Sequence, residues 1–288
     1  MHERATDALA SDFARRAITI GPAFLRDLDT RGRVDAPSVT VVVPTLNEAA
    51  NLPHVFARIP ADTDEVIIVD GHSTDDTVAV GRMLRPDVRV LMQEGRGKGD
   101  ALACGFAAAR GEIIVMIDAD GSTDPAEIPR FVDALLDGAD FAKGSRFLHG
   151  GGSADITRLR RSGNRALSAI VNGLFGTKYT DLCYGYNAFW RHCLPHMTVN
   201  CSGFEVETLI NVRIAQAGLT VTEVPSFESE RLHGESKLNA FRDGSRVLRT
   251  IVRERMRRAP VDLAGWEPRF REDMDLRTPL SELGVTAS

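Results

Sequence analysis

The run "MIDADGSTDP", residues 116–125, sets Asp118, Asp120 and Asp124 directly behind the apolar stretch Ile113 to Ile117. Side chains of an extended chain repeat every second residue, so Asp118 and Asp120 face the same way. Like charges this close repel unless a cation lies between or beside them, and hard divalent ions such as Mg2+ or Mn2+ take oxygen ligands. Magnesium keeps several waters and is shared with substrate phosphates, so one or two protein carboxylates suffice. A solvated pair of strand-end acids is the plain alternative. Asp124-Pro125 has the form of a helix start, with Asp as cap and Pro at the first position.

Other runs carry polar groups suited to a ligand. "VDGHSTDDT" places Asp70 at a strand tip, where a carboxylate accepts hydrogen bonds from the ring N–H of uracil or guanine, or from a ribose hydroxyl; an ordinary capped turn is the alternative. "EGRGKGDA" lacks the GxxxxGK[ST] and GxGxxG spacings, which leaves a turn with Arg96 and Lys98 ahead of a helix N-terminus, able to approach a diphosphate. In "GFEVE", Glu205 and Glu207 point apart if they open a helix and share a face in a strand. One of them is a candidate base, and solvated helix acids are the alternative.

These groups sit on a repeating framework. After Pro37 comes the β-branched run Val39 to Val43, as expected for a parallel strand covered on both faces. Helical spacing in "NLPHVFARI", "DDTVAVGRML" and "GDALACGFAAAR" then alternates with the strands "DEVIIVD", "VRVLMQ" and "EIIVMID", which predicts right-handed βαβ units and a mostly parallel α/β sheet. Thr45, Asn47, Glu48, Asp70, Gln93, Glu94, Asp118 and Asp120 follow strand ends and are expected to line one crevice. The second half is less regular. It holds a helix in "IPRFVDALLDG", a strand in "ADFAKGSRF", a mobile loop at Gly150-Gly151-Gly152, helices near 161–175 and 204–217, and the strand "LTVTEVP". A basic amphipathic helix from Asn239 to Arg258 carries seven arginines.

The 288 residues, 43% hydrophobic and 26% charged with a net charge of -5, fit a soluble protein with no basic field for nucleic acid. Cys104, Cys183, Cys193 and Cys201 form no CxxC pair, and a reduced cytoplasm suits them. No apolar run approaches the roughly 18 to 20 residues that span a bilayer. Arg15-Arg16 ahead of "AITIGPAFL" has the outline of a twin-arginine signal, but Pro22 and Arg26-Asp27 interrupt it, and residues 1–37 read as a helical extension.

Taken in order, "VVVPTLNE", "VDGHSTDDT", "GRGKGDA", "MIDADGSTDP", "KGSRF", "TDLCYGYNAFWR", "GFEVE" and "HGESKL" resemble a family 2 glycosyltransferase of the GT-A fold, most of all the dolichyl-phosphate mannose synthase or polyprenyl-phosphate sugar synthase branch. The resemblance covers about residues 38–255 and implies a catalytic domain over 38–238, with a C-terminal helix and tail over 239–288. Pro44, Thr45, Asn47 and Glu48 would frame the nucleoside, with Asp70 on the base and Lys98 near the sugar nucleotide. Asp118 and Ala119 would hold ribose or donor sugar, and Ser236 and Lys237 would lie on a loop that closes over it. Asp120 would bind Mg2+ or Mn2+ on the diphosphate, completed by His233. Asp181 joins Glu205 and Glu207 as a catalytic candidate, and Arg146, Arg158 and Arg161 are the acceptor-side cations.

The implied reaction moves a sugar, with inversion, from a UDP- or GDP-sugar to a polyprenyl phosphate or a small soluble acceptor. A carboxylate base is needed only if the acceptor is an alcohol. The helix 239–258 could lie on an anionic membrane surface, giving peripheral contact, and a homodimer is compatible with the chain. The run Arg158 to Arg165 could receive an acceptor phosphate or form a mobile basic loop. Cys183 and Tyr184 depart from the branch's usual D-P-x-S-G-(F/Y), which keeps a soluble acceptor in view. A different class, a nucleotide-sugar binding or nucleotidyltransferase-like protein, is disfavoured by "PTLNEAANLP" where a Gly-rich basic signature would stand.

Overall fold

The computed structural model describes residues 36–234, 240–257 and 269–273. The expected extension up to residue 35, Ser236, Lys237 and the tail beyond residue 273 lie outside the described residues. The first strands and helices follow the predicted alternation: β1 Val39–Thr45, α1 Leu52–Phe56, β2 Glu65–Asp70, α2 Thr77–Leu84, β3 Arg89–Gln93, α3 Gly97–Ala108 and β4 Ile113–Met116. Then come α4 Ile128–Leu136, β5 Phe141–Ser145, β6 Gly152–Ser153, α5 Arg158–Phe175, β7 Asn187–Trp190, α6 Val206–Gln216, β8 Val221–Pro225, β9 Phe227–Glu228, α7 Ala240–Met256 and β10 Phe270–Glu272.

The large sheet runs β10-β3-β2-β1-β4-β7-β5-β8. β1 pairs in parallel with β2, Thr45 opposite Asp70, and with β4, Val42 opposite Met116. Strands β5 and β8 are also parallel, Ser145 opposite Pro225. Parallel registry brings the carboxyl ends of all these strands to one edge. Strand β7 enters antiparallel between β4 and β5, with Asn187 opposite Met116, so the residues just before it reach that same edge. Neither β7 nor the antiparallel edge strand β10 is signalled by the strand–helix rhythm.

Alternation along β1 sends Val41 and Val43 into one apolar layer and Val42 into the other. The first layer is closed by Leu52, Val55, Phe131 and Leu135. The second is closed by Leu102, Phe106, Ile210 and Ile214. A third cluster joins Val171 of α5, Val212 of α6, and Val247 and Ile251 of α7. Among the described residues no helix is long and apolar enough to cross a membrane.

Three local expectations change. Gly152 is no loop tip: Gly152–Ser153 pairs in parallel with Phe227–Glu228 as a two-stranded sheet. The basic run Arg158 to Arg165 is no mobile loop either. It forms the opening turns of α5, capped by the Thr157 hydroxyl, which accepts from the Arg160 N–H at 3.2 Å. The stretch "NLPHVFARI" yields only the short α1. Asp124 behaves as expected, its carboxylate accepting from the Ala126 N–H at 2.9 Å ahead of a short 3-10 turn.

Helix α7 docks on α5 and α6. Its inner face buries Val247, Thr250, Ile251 and Glu254, and Glu254 binds the buried Arg213 of α6 at 3.1 and 3.2 Å and Arg257 at 2.7 Å. Removing one partner of a buried pair leaves the other desolvated and uncompensated, at a cost of about 3–5 kcal/mol. Glu254→Ala is therefore expected to lower the unfolding free energy by about that amount in urea melts, whereas the exposed Arg249→Ala stays within about 0.5 kcal/mol of the parent.

Candidate active site

A cleft of about 970 Å3 opens along the carboxyl edge of the sheet. Its walls include Pro44, Thr45 and Glu48 after β1, Gln93 and Lys98 around β3 and α3, and Asp118, Ala119 and Asp120 after β4. Arg146 after β5, Tyr184 and Gly185 before β7, Glu207 of α6 and Arg231 after β9 complete the inner lining. Arg160, Phe241, Arg242 and Arg246 from α5 and α7 form the far lip.

Three cations each bridge two carboxylates across this cleft. Lys98 sits 2.5 Å from Asp118 and 2.7 Å from Glu207. Burial alone would lower the Lys98 pKa, but Asp118 and Glu207 outweigh it and raise it. The Glu207 carboxyl is pushed up by burial, and Lys98 opposes that shift. Gly185 permits this packing, since a Cβ there would stand 2.9 Å from both the Asp118 Oδ2 and the Lys98 Nζ.

Arg231 forms the second bridge, 2.8 Å from Asp120 and 3.4 Å from Glu48. The segment that carries it is laid over the Asp120 turn: the Ser229 N–H donates to the Ser122 carbonyl at 2.8 Å and the Leu232 N–H to the Asp120 carbonyl at 3.4 Å. Gly121, at φ +77°, makes room for Leu232, whose Cδ1 would lie 2.8 Å from a Cβ at that position.

Arg146 forms the third, held by Asp181 at 2.7 and 3.0 Å and by Glu228 at 3.0 and 3.1 Å, with its guanidinium 4.8 Å over the Tyr184 ring. Burial would lower the Arg146 pKa, but hydrogen bonding to Asp181 and the charges of Asp181 and Glu228 raise it.

The expected site residues divide accordingly. Pro44, Thr45, Glu48, Lys98, Asp118, Ala119, Asp120, Arg146 and Glu207 line the cleft. Asp70 is not among the lining residues. It is fully buried, and its carboxylate accepts from the Ser73 N–H at 2.8 Å and faces the Thr45 hydroxyl at 3.4 Å, so it shapes the turn beneath the cleft. Asn47, at φ 59°, clamps the same turn through the Thr74 N–H at 2.7 Å. Gln93 lies beside them, nearly fully buried, with its Oε1 lacking a hydrogen-bond partner among the described residues.

Asp181 is corrected as a catalytic candidate. It is fully buried, and beyond Arg146 its carboxylate accepts from Asn164 Nδ2 at 2.9 Å. Burial would raise its pKa, yet Arg146 outweighs that and keeps it below the usual carboxylate range. A carboxylate this fully engaged holds Arg146 in place and has no free lone pair for a substrate proton. Glu205 is not among the lining residues either: it precedes α6, with its Oε1 accepting from the Gly203 N–H at 3.3 Å, while Glu207 lies in the first turn of that helix. Arg158 and Arg161 stand outside the cleft lining, Arg161 over the Phe147 ring at 5.4 Å. Arg160, tied to Asp155 at 2.9 Å, lines it instead.

His233 ends the segment laid over the Asp120 turn, a strap running from Ser229, with its carbonyl accepting from Asn51 Nδ2 at 3.2 Å and its ring 5.9 Å from that of His54. Among the described residues no three acid, histidine or cysteine side chains gather into a metal cluster; the expected metal pair is Asp120 with His233 alone. The donor set still fits a hard cation that takes one or two carboxylate oxygens and completes its shell with phosphate and water. Arg231 lines the cleft from outside the quoted motifs, and Tyr184 lines it from within one that assigns it no contact there. The only signal for Arg231 was its place two residues before His233.

Comparison with known proteins agrees with this architecture. The family described as Glycosyl transferase family 2 matches residues 40–209. Glycosyltransferase AglJ of Haloferax volcanii is 31% identical over 78% of this chain and 74% of its own length. A dolichyl-phosphate hexose transferase of the same organism is 34% identical over 75% and 92%. Crystalline glucosyl-3-phosphoglycerate synthase from Mycobacterium tuberculosis, in complex with Mn2+, UDP and glucosyl-3-phosphoglycerate, superimposes with a TM-score of 0.61 at 27% identity, covering 76% of this chain and 80% of that one. With a GT-A-like sheet, a cleft at its carboxyl edge and this match, the chain belongs to glycosyl transferase family 2 and is a glycosyltransferase.

Proposed function

We propose that the enzyme transfers a sugar from a nucleoside diphosphate sugar to a polyprenyl phosphate at a membrane surface, inverting the anomeric carbon. The observation that carries the acceptor class is the continuity of the cleft: the cavity lined by Asp118 and Asp120 is also lined by Phe241, Arg242 and Arg246 at the start of α7. Opposite its packed face, α7 turns out a row of Phe241 (80% exposed), Leu248, Val252 and Met256 (70% exposed). On a 3.6-residue helix Arg242, Arg249 and Arg253 flank one side of this row and Arg255 the other. An apolar row with a cationic rim fits an anionic bilayer surface and leads a lipid acceptor toward the donor acids.

The chemistry follows from the bridges. Pro44, Thr45 and the buried Gln93 amide suit the nucleoside end, where a uridine or guanosine base offers N–H groups. Asp120 would hold Mg2+ or Mn2+ on the diphosphate. Held there, it would supply stabilisation of the charge that develops on the leaving group. Lys98 keeps Asp118 and Glu207 fixed beside the donor, and the strap over Asp120 limits water access. Because Glu207 stays paired with Lys98, the site suits an acceptor that arrives as an anion and needs no base. Arg160, Arg242 and Arg246 are the cations that would orient its phosphate.

A second reading, a soluble phosphorylated acceptor, is favoured by the likeness to the synthase crystallised with phosphoglyceric acid, at a TM-score of 0.62, and by Cys183 and Tyr184 at the cleft wall.

With UDP- and GDP-sugars in a thermal-shift panel, Mn2+ is expected to increase the shift from one donor, and Asp120→Ala to remove that increase. A metal-dependent shift that survives in Asp120→Ala counts against the assignment. For the acceptor, Leu248→Ser/Met256→Ser alters the outward face without touching the cleft lining. It is expected to reduce transfer to polyprenyl phosphate in anionic vesicles by tenfold or more, and to leave transfer to a short-chain polyprenyl phosphate in detergent unchanged. Turnover with phosphoglyceric acid and none with polyprenyl phosphate would establish the second reading.

A further inference from the structure

The three bridging cations are not equally fixed. The Arg146 side chain is 4% exposed and that of Lys98 14%, both on or beside regular elements, whereas that of Arg231 is 27% exposed and sits on a segment without regular structure. The strap is firm at Ser229, at 2.8 Å from Ser122, and weak at Leu232, at 3.4 Å from Asp120. Arg231 can therefore swing while its backbone anchor holds.

Its position matters because Asp120 has little else to offer. The Asp120 Oδ1 accepts from the Ser122 N–H at 2.9 Å, and the Oδ2 is the atom that meets the Arg231 guanidinium at 2.8 Å. A guanidinium at this oxygen and a divalent cation on the same oxygen exclude each other, by contact and by like charge. A diphosphate entering the cleft brings negative charge that can take the guanidinium from Asp120, since planar arginine forks pair well with phosphate oxygens.

We infer that Arg231 is a placeholder cation: it withholds Asp120 from the metal until a donor diphosphate draws it away, which couples metal binding to donor binding. The coupling rests on the donor assignment above; the withholding does not. By linkage, whatever factor the nucleotide adds to metal affinity, the metal adds to nucleotide affinity.

The test titrates Mn2+ into the full chain and reads free Mn2+ by its electron paramagnetic resonance signal, without nucleotide and with saturating UDP or GDP. Wild type is expected to bind Mn2+ at least tenfold more tightly with one nucleotide than without. Arg231→Gln is expected to gain about tenfold in nucleotide-free affinity, about 1.4 kcal/mol, and to lose most of the nucleotide effect. Arg231→Lys, which keeps the charge but not the fork, gains about threefold. Asp120→Asn added to Arg231→Gln abolishes the gain, and thermal melts establish that each variant is folded. Folded Arg231→Gln and Arg231→Lys that bind nucleotide-free Mn2+ no more tightly than wild type overturn the inference. A gain in Arg231→Gln with no effect of UDP or GDP on any variant upholds the withholding and counts against the donor assignment instead.

Discussion

Two carboxylates to one cation is the constraint from which the cleft is built. Lys98 stands between Asp118 and Glu207, Arg231 between Asp120 and Glu48, and Arg146 between Asp181 and Glu228. At an effective dielectric near 20, opposite unit charges 4 Å apart attract by about 4 kcal/mol. Removing such charges from water costs several kcal/mol per ion, so pairing is the condition that lets the acids sit at the sheet edge rather than a surplus of stability. Each bridge also remains one positive charge short. That deficit answers the repulsion between Asp118 and Asp120: fixed cations hold the acids in place, and the residual negative charge suits a divalent cation with a phosphate.

Every bridge spans elements distant in sequence, so it forms only when the sheet has closed. Lys98 and Asp118 meet because α3 and the end of β4 both stand over the carboxyl edge, next to β1. Arg146 and Asp181 meet because β7, reversed between β4 and β5, returns the chain to that edge before it re-enters the sheet. The parallel strands thus supply a row of ends, and one antiparallel insertion supplies the partner segment carrying Asp181, Tyr184 and Gly185.

The parts of this arrangement that were legible in the sequence are those with local causes. β-branched runs, helical spacing and strand-end acids gave β1 to β4, α2, α3 and the pair Asp118 and Asp120. The reversed β7 was not legible, because "NAFW" has no feature that separates an antiparallel strand from a parallel one. Asp181 was misjudged for the same reason: a polar residue in a motif looks available until Arg146 and Asn164 arrive from β5 and α5 to enclose it. Glu205 and Glu207 could be told apart only once α6 was seen to start between them. Arg231 escaped notice because its partners, Glu48 and Asp120, lie far back in the chain.

Helix α6 joins the two halves of the site. Its residues Val206 to Ile214 are all buried, as in a helix covered on every side. Glu207 reaches Asp118 through Lys98, Ile210 and Ile214 pack under the sheet, and Val212 and Arg213 anchor α7. The half of the site around Asp118 and Asp120 is thereby fixed by strand registry, while α5 and α7 pack together with Val212 of α6 in the third cluster. The outer faces of those two helices can therefore vary without disturbing the bridges at Asp118 and Asp120. A change within α6 has no such freedom, because the same helix that presents Glu207 to Lys98 also anchors α7, whose first turns form the far lip of the cleft.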